Sequence, residues 1–114
     1  MCRHHLWAHN GQGYVVSCKG CGRYQLAFGT SLITLEPADY ERFCGQVAGL
    51  LNGSCLNKDE ENSKKIYLDL YCSQAMMVLS ARELKALGTL LDEAEFTRQV
   101  AFLLEESHIK SSGN

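Results

Sequence analysis

No stretch of this 114-residue sequence approaches the roughly 20 consecutive apolar residues of a transmembrane helix, which excludes an α-helical membrane span. The opening Met-Cys-Arg-His-His lacks the basic-then-apolar order of a secretory signal, so a cytoplasmic location is expected. A Gly-rich phosphate loop, a Gly-x-Ser-x-Gly elbow and a His-Glu-x-x-His pair are all missing. Glu60-Glu61 and Asp92-Glu93 read as solvated charge rather than paired catalytic acids, and no enzyme is expected. Acid is absent from residues 1–35, which carry Arg3, Lys19 and Arg23; residues 36–114 carry all 13 acids against eight bases. That gives a mildly basic N-terminal end. A net charge of −2 and a pI near 6.0 nevertheless exclude a protein that coats nucleic acid or anionic membrane.

What remains is a chain of ordinary globular composition, 46% apolar and 21% charged, long enough for one domain with a modest core. Its six cysteines, in a compartment that keeps thiols reduced, point to metal binding or buried thiols before disulfides. Cys18-Lys19-Gly20-Cys21-Gly22 is the strongest signal. Two cysteines three apart in a tight turn can direct both sulfurs at one ion, and glycines without a β-carbon permit that turn. Cys2 and His5 have the same two-residue gap, and 12 residues separate His5 from Cys18. The pattern Cys-x2-His, x12, Cys-x2-Cys predicts a tetrahedral Cys3His zinc site; His4 or His9 could replace His5. Four protein ligands close such a site, which makes the ion structural. A redox dithiol would sit at a helix N-terminus after a strand. Here a strand follows, and Gly22 is a poor helix starter. Cys44 and Cys72 read as buried small residues and Cys55 as an exposed thiol.

Residues 14–17 and 24–28 alternate as strands, with Tyr24, Leu26 and Phe28 on one face. Gly29-Thr30 is the turn to a further strand over residues 31–35. Pro37, with Asp39 in the first turn, opens an amphipathic helix over 37–51 that Asn52-Gly53 ends. Residues 53–64 read as an exposed loop. The plan then repeats: alternation over 65–71, a turn at 72–74, a strand over 75–79, and the capping box Ser80-x-x-Glu83 before a second helix. A 44-residue shift without a gap superposes the two halves in apolar phase. The predicted fold class is α+β: a zinc knuckle over 1–23, then ββα units over 24–52 and 65–106. Their hairpins join into an antiparallel sheet with both helices on one face, and residues 107–114 form a disordered tail. The last helix changes phase. At 100° per residue Leu84, Leu87, Leu91 and Ala94 share one side, whereas Phe96, Val100, Leu103 and Leu104 take nearly the opposite side. A break near 92–95 is expected; an unbroken helix would instead expose a stripe suited to a second copy.

The segments Gly13-Tyr14-Val15-Val16-x-Cys18-x-x-Cys21 and Gln25-Leu26-Ala27-Phe28-Gly29-Thr30 resemble the signature of a small uncharacterised family of Bacteroidetes proteins. The likeness extends to Asp39-Tyr40-x-x-Phe43 and Leu79-Ser80-x-x-Glu83-Leu84. It implies a small cytoplasmic bacterial protein and transfers no catalytic residue. The function expected from the whole reading is a zinc-stabilised protein-interaction module, with a protein partner or homodimer through the C-terminal helix. A nucleic-acid-associated zinc-ribbon factor is the alternative, with Tyr14 and Tyr24 as stacking candidates.

Overall fold

The computed structural model describes residues 3–53, 63–71 and 74–112. Six strands and two helices follow in the order β1 (His4–Asn10), β2 (Gly13–Cys18), β3 (Tyr24–Phe28), β4 (Ser31–Leu35), α1 (Pro37–Asn52), β5 (Ile66–Asp69), β6 (Met76–Leu79) and α2 (Ala81–Ser112). The class is α+β with antiparallel pairing throughout. The first four strands form a meander in sequence order, and β5 and β6 form a separate two-stranded sheet.

The pairing that joins Val15 to Leu26 and Leu26 to Ile33 sets an inner face. Those three side chains, with Phe28 and Leu35, are buried in the same core as Phe43 and Val47 of α1 and Leu84, Leu87, Leu90 and Leu91 of α2. Helix α2 packs across β1 and β2, whereas α1 packs against β4, β5 and α2. Leu68 and Met77, directly opposite on β5 and β6, close the core from the second sheet. Gly29, at φ +60°, is the first central residue of the two-residue turn between Phe28 and Ser31, as a type II′ hairpin requires.

Three expectations are corrected. The segment over 1–23, expected as a zinc knuckle, contributes an edge strand, β1, to the sheet. Its alternation is broken by a bulge between Leu6 and Ala8, where Trp7 is the extra residue, and a strict period-two reading does not register it. Second, the two hairpins do not join. Strand β3 takes β2 as its other neighbour, and the outer backbone of β5 is satisfied by a side chain: Asp69 N–H donates to Gln46 Oε1 at 2.8 Å, and Gln46 Nε2 donates to Asp69 C=O at 3.0 Å. Helix α1 thus caps the edge that another strand would need. Third, α2 does not break near 92–95 and its backbone stays helical to Ser112, through most of the predicted tail. Leu, Ala, Glu, Arg and Gln are good helix formers, and α2 holds no proline and one glycine, Gly88. The loop over 54–62 and the turn residues Cys72 and Ser73 lie outside the described residues.

The start of α2 is the predicted capping box in full. Glu83 N–H donates to Ser80 Oγ at 3.1 Å, and Ser80 N–H donates to Glu83 Oε1 at 3.0 Å. Ser80→Ala should lower stability by about 1 kcal/mol, measured by urea unfolding. The backbone N–H of Ser80, and then Lys64, hold the Glu83 carboxyl below its ordinary range. A lowered folded-state pKa contributes stability above the unfolded value and loses it as pH falls through the folded one. Glu83→Gln should therefore flatten the fall in stability below about pH 4.5 and weaken the protein at pH 7.

Candidate functional site

Two features stand out beyond the core, one at each end of the chain. The first is the turn that ends β2. Cys18 is buried at the last position of the strand, and the chain reverses over 19–22. Cys21 N–H donates to Cys18 Sγ at 3.4 Å, and Gly22 N–H donates to Cys18 C=O at 2.8 Å. Gly22 sits at φ +78°, a left-handed conformation that residues with a β-carbon resist. Amide donation of this kind stabilises negative charge on sulfur, the form in which a cysteine binds metal. Backbone bonds fix the turn on both sides, from Cys18 N–H to Arg23 C=O at 2.9 Å and from Lys19 N–H to Arg3 C=O at 2.8 Å.

The histidines are separated by the sheet. His4 lies directly opposite Cys18, and His5 directly opposite Ser17, so the two histidines are on opposite faces. The His5 ring packs against Trp7, with centroids 4.0 Å apart, and Trp7 Nε1–H donates to Ser17 Oγ at 2.7 Å. His9 pairs with Tyr14, four residues along β2 from Cys18 and so roughly 13 Å away at strand rise. Cys21 is exposed. Cys2 and Cys55 lie outside the described residues. Among the described residues, no group of three or more His, Cys, Asp or Glu converges to hold a metal.

Elsewhere the chemistry-bearing side chains are engaged in packing. Cys44 lines a cleft of about 360 Å³ between α1 and α2, and burial pushes its thiol up to about 11, which makes it a poor nucleophile. Burial likewise raises the Tyr40 hydroxyl well above its ordinary value. Tyr24 stacks on Tyr40, centroids 4.1 Å apart and planes 3° from parallel, so its ring is already occupied; Tyr14 is on the outer sheet face. Of the N-terminal cations, Arg23 pairs with Glu36 at 2.8 Å.

The second feature is the C-terminal half of α2. Its N-terminal half buries Leu84, Leu87, Leu90, Leu91 and Ala94, whereas Phe96, Phe102, Leu103 and Leu104 are each about two-thirds exposed and Val100 is 38% exposed. At 100° per residue, Leu103, Phe96, Val100 and Leu104 form one stripe, and Phe102 lies off it, a further 100° round the helix from Leu103. A 32-residue helix is about 48 Å long, and the molecule extends 58 Å along its longest axis against 29 and 24 Å along the others. Its radius of gyration of 16.0 Å exceeds the roughly 13 Å of a compact chain this long, because the end of α2 projects from the body. The projecting turns are braced locally: Arg98 forms a two-pronged ion pair with Glu95 at 2.7 and 3.0 Å, and Thr97 Oγ1–H donates to Glu93 C=O. No helix among the described residues is long and apolar enough to cross a membrane.

Residues 1–112 match the model of a family of unknown function, DUF6686. No curated protein and no solved structure matches the chain. The chain belongs to the DUF6686 family.

Proposed function

We propose that this family member is a non-enzymatic interaction module that pairs with a second copy of itself through the C-terminal half of α2, its N-terminal end stapled by a structural zinc ion. The observation that carries the first part is the unbroken α2, which leaves Phe96, Val100, Phe102, Leu103 and Leu104 without cover. Phenylalanine side chains offer roughly 150–250 Å² each, so Phe96 at two-thirds exposure contributes roughly 130 Å². With the two leucines and the valine the stripe reaches roughly 350 Å², within the roughly 300–600 Å² of the largest patch on a typical monomer, which is often functional. Two such patches supply roughly 700 Å², the size of a weak, transient contact between copies.

The sequence of the stripe suits a two-fold axis. Phe96 and Leu103–Leu104 stand either side of Val100, so antiparallel helices place Phe96 of each copy against the leucines of the other. Pairing also supplies the tertiary packing that a projecting helix otherwise lacks, since isolated helices of this length are marginal in water. For the zinc, the support is the Cys18–Cys21 turn with its amide-to-sulfur bond. Cys2 is the further donor expected from the sequence. A closed set of four protein ligands leaves no position for a catalytic water, and such an ion adds folding free energy.

Trp7 gives an optical test. The chain has one tryptophan, and it shares a shallow groove with Asp92, Glu93, Phe96 and Thr97. Covering Phe96 reduces water access to the indole. Diluting the protein from about 100 to about 0.1 μM, a range that brackets weak to moderate self-association, should shift Trp7 emission to the red with a sigmoidal profile. A flat profile across the range is the result that counts against self-pairing.

A further inference from the structure

We infer that the groove between β1 and α2 is a docking site for an arginine-bearing segment of a partner protein. Its guanidinium is received by the rings of Trp7 and Phe96 and the carboxylates of Asp92 and Glu93. The inference goes beyond self-pairing and the zinc ion and rests on neither.

The groove, about 460 Å³, is built by an irregularity in the sheet. Trp7 is the extra residue of the β1 bulge, a device that re-aims a side chain. The indole is held in one orientation: Nε1–H donates to Ser17 Oγ at 2.7 Å, and the His5 ring packs beside it with centroids 4.0 Å apart. Because β1 is an edge strand, no further strand among the described residues closes the groove from the side. Buried Ala8 adjoins Trp7, and α2 supplies the other wall. Along that wall Asp92 and Phe96 are four apart, as are Glu93 and Thr97. Both carboxylates therefore stand one turn before the phenyl ring and the threonine, on the same side of the helix.

These walls select a cation. The faces of indole and phenyl rings attract positive charge, indole most strongly. Asp92 and Glu93 are exposed and form no ion pair among the described residues. The next cation along α2, Arg98, is held by Glu95 at 2.7 and 3.0 Å. At 100° per residue it lies nearly opposite Phe96 on the helix. An anion in the groove would meet two carboxylates, and a neutral apolar group would strip their water without pairing them. Arginine suits the site better than lysine, since a planar guanidinium stacks on an aromatic ring while its fork reaches a carboxylate. The groove is open, so it receives one side chain of a segment lying across it.

The test uses the full chain at about 1 μM, where a weak contact between copies is dissociated. The readout is Trp7, the one tryptophan. Two capped nonapeptides of glycine and serine carry either arginine or citrulline at the centre. The arginine peptide should change Trp7 emission saturably below about 5 mM. Citrulline has nearly the same shape without the charge and should bind at least about tenfold more weakly. Raising salt from about 0.05 to about 0.5 M should weaken the arginine complex. Asp92→Asn combined with Glu93→Gln should lower affinity roughly fivefold or more. Glu105→Gln, on the far side of α2, should leave it unchanged. All three acids are exposed, so their variants keep the fold, which circular dichroism checks. Equal binding of the citrulline peptide overturns the inference, as does wild-type affinity in the Asp92/Glu93 variant. Emission that shifts with protein concentration but with neither peptide assigns the groove to a second copy; it overturns the inference and leaves self-pairing standing. Peptide binding by a chain that stays monomeric at every concentration supports the docking site and removes self-pairing.

Discussion

Replacing Phe96 and Leu103 together by glutamate should turn a self-associating protein into a folded monomer. Both side chains are exposed in the single copy, so neither substitution opens a cavity and the body should keep its cooperative unfolding. Their effect falls on association. Burying a phenylalanine or leucine contributes about 1.5–3 kcal/mol, and a two-fold interface counts every substitution twice. The glutamates also bring four carboxylates into an apolar contact. Association should weaken by at least about 1,000-fold, which corresponds to about 4 kcal/mol. Light scattering coupled to gel filtration gives the mass directly. Tyr67→Glu is the control, because Tyr67 is equally exposed but on the outer face of the second hairpin, and it should leave the mass unchanged. Equal association by wild type and double variant would remove α2 from the interface.

The second large effect is expected from a single methyl group. A β-carbon added at Gly13 would collide with the backbone carbonyl oxygen of Ala27 and crowd the Phe28 α-carbon. Both are main-chain atoms of the neighbouring strand, so no side chain can rotate away. Gly13 is also held from its other side, where Asn10 Oδ1 accepts its N–H at 3.0 Å and that of Gln12 at 2.8 Å. Strands β2 and β3 would have to separate at their Gly13–Phe28 end. The cost should be about 3 kcal/mol or more, read as a fall in Tm of roughly 10 °C or more. Gly11→Ala, two residues away, meets nothing within 4 Å and should change Tm little.

Strands β3 and β4 were legible residue for residue, because Tyr24, Leu26 and Phe28 alternate cleanly and a glycine marks the turn. The helix starts were legible for local reasons, Pro37 at the first turn of α1 and the Ser80–Glu83 box before α2. The 44-residue offset carries from one helix start to the other, but it does not carry to the sheets. Whether two hairpins join depends on what else reaches their edges, and here β1, β2 and the Gln46 side chain reach them first.

Strand β1 was hidden by its own bulge. With Trp7 as an extra residue, the inward positions shift from odd to even numbers, and no periodicity survives for a reader without the pairing. The same fact kept the histidines ambiguous. Spacing alone favours His5, because Cys-x2-His mirrors Cys-x2-Cys, whereas the register sets His4 beside Cys18. The phase change in α2 was visible from its leucines. Its consequence was not, since a break and a protruding stripe both explain the same pattern, and local propensity decides between them.

Sedimentation velocity of the intact protein over about 1–200 μM tests self-pairing most directly, because that range brackets the affinities expected of a weak contact of roughly 700 Å². With a chain mass of 12.7 kDa, the weight-average mass should climb with concentration toward twice that value, about 25 kDa. A mass that stays at 12.7 kDa up to the highest concentration contradicts pairing through α2.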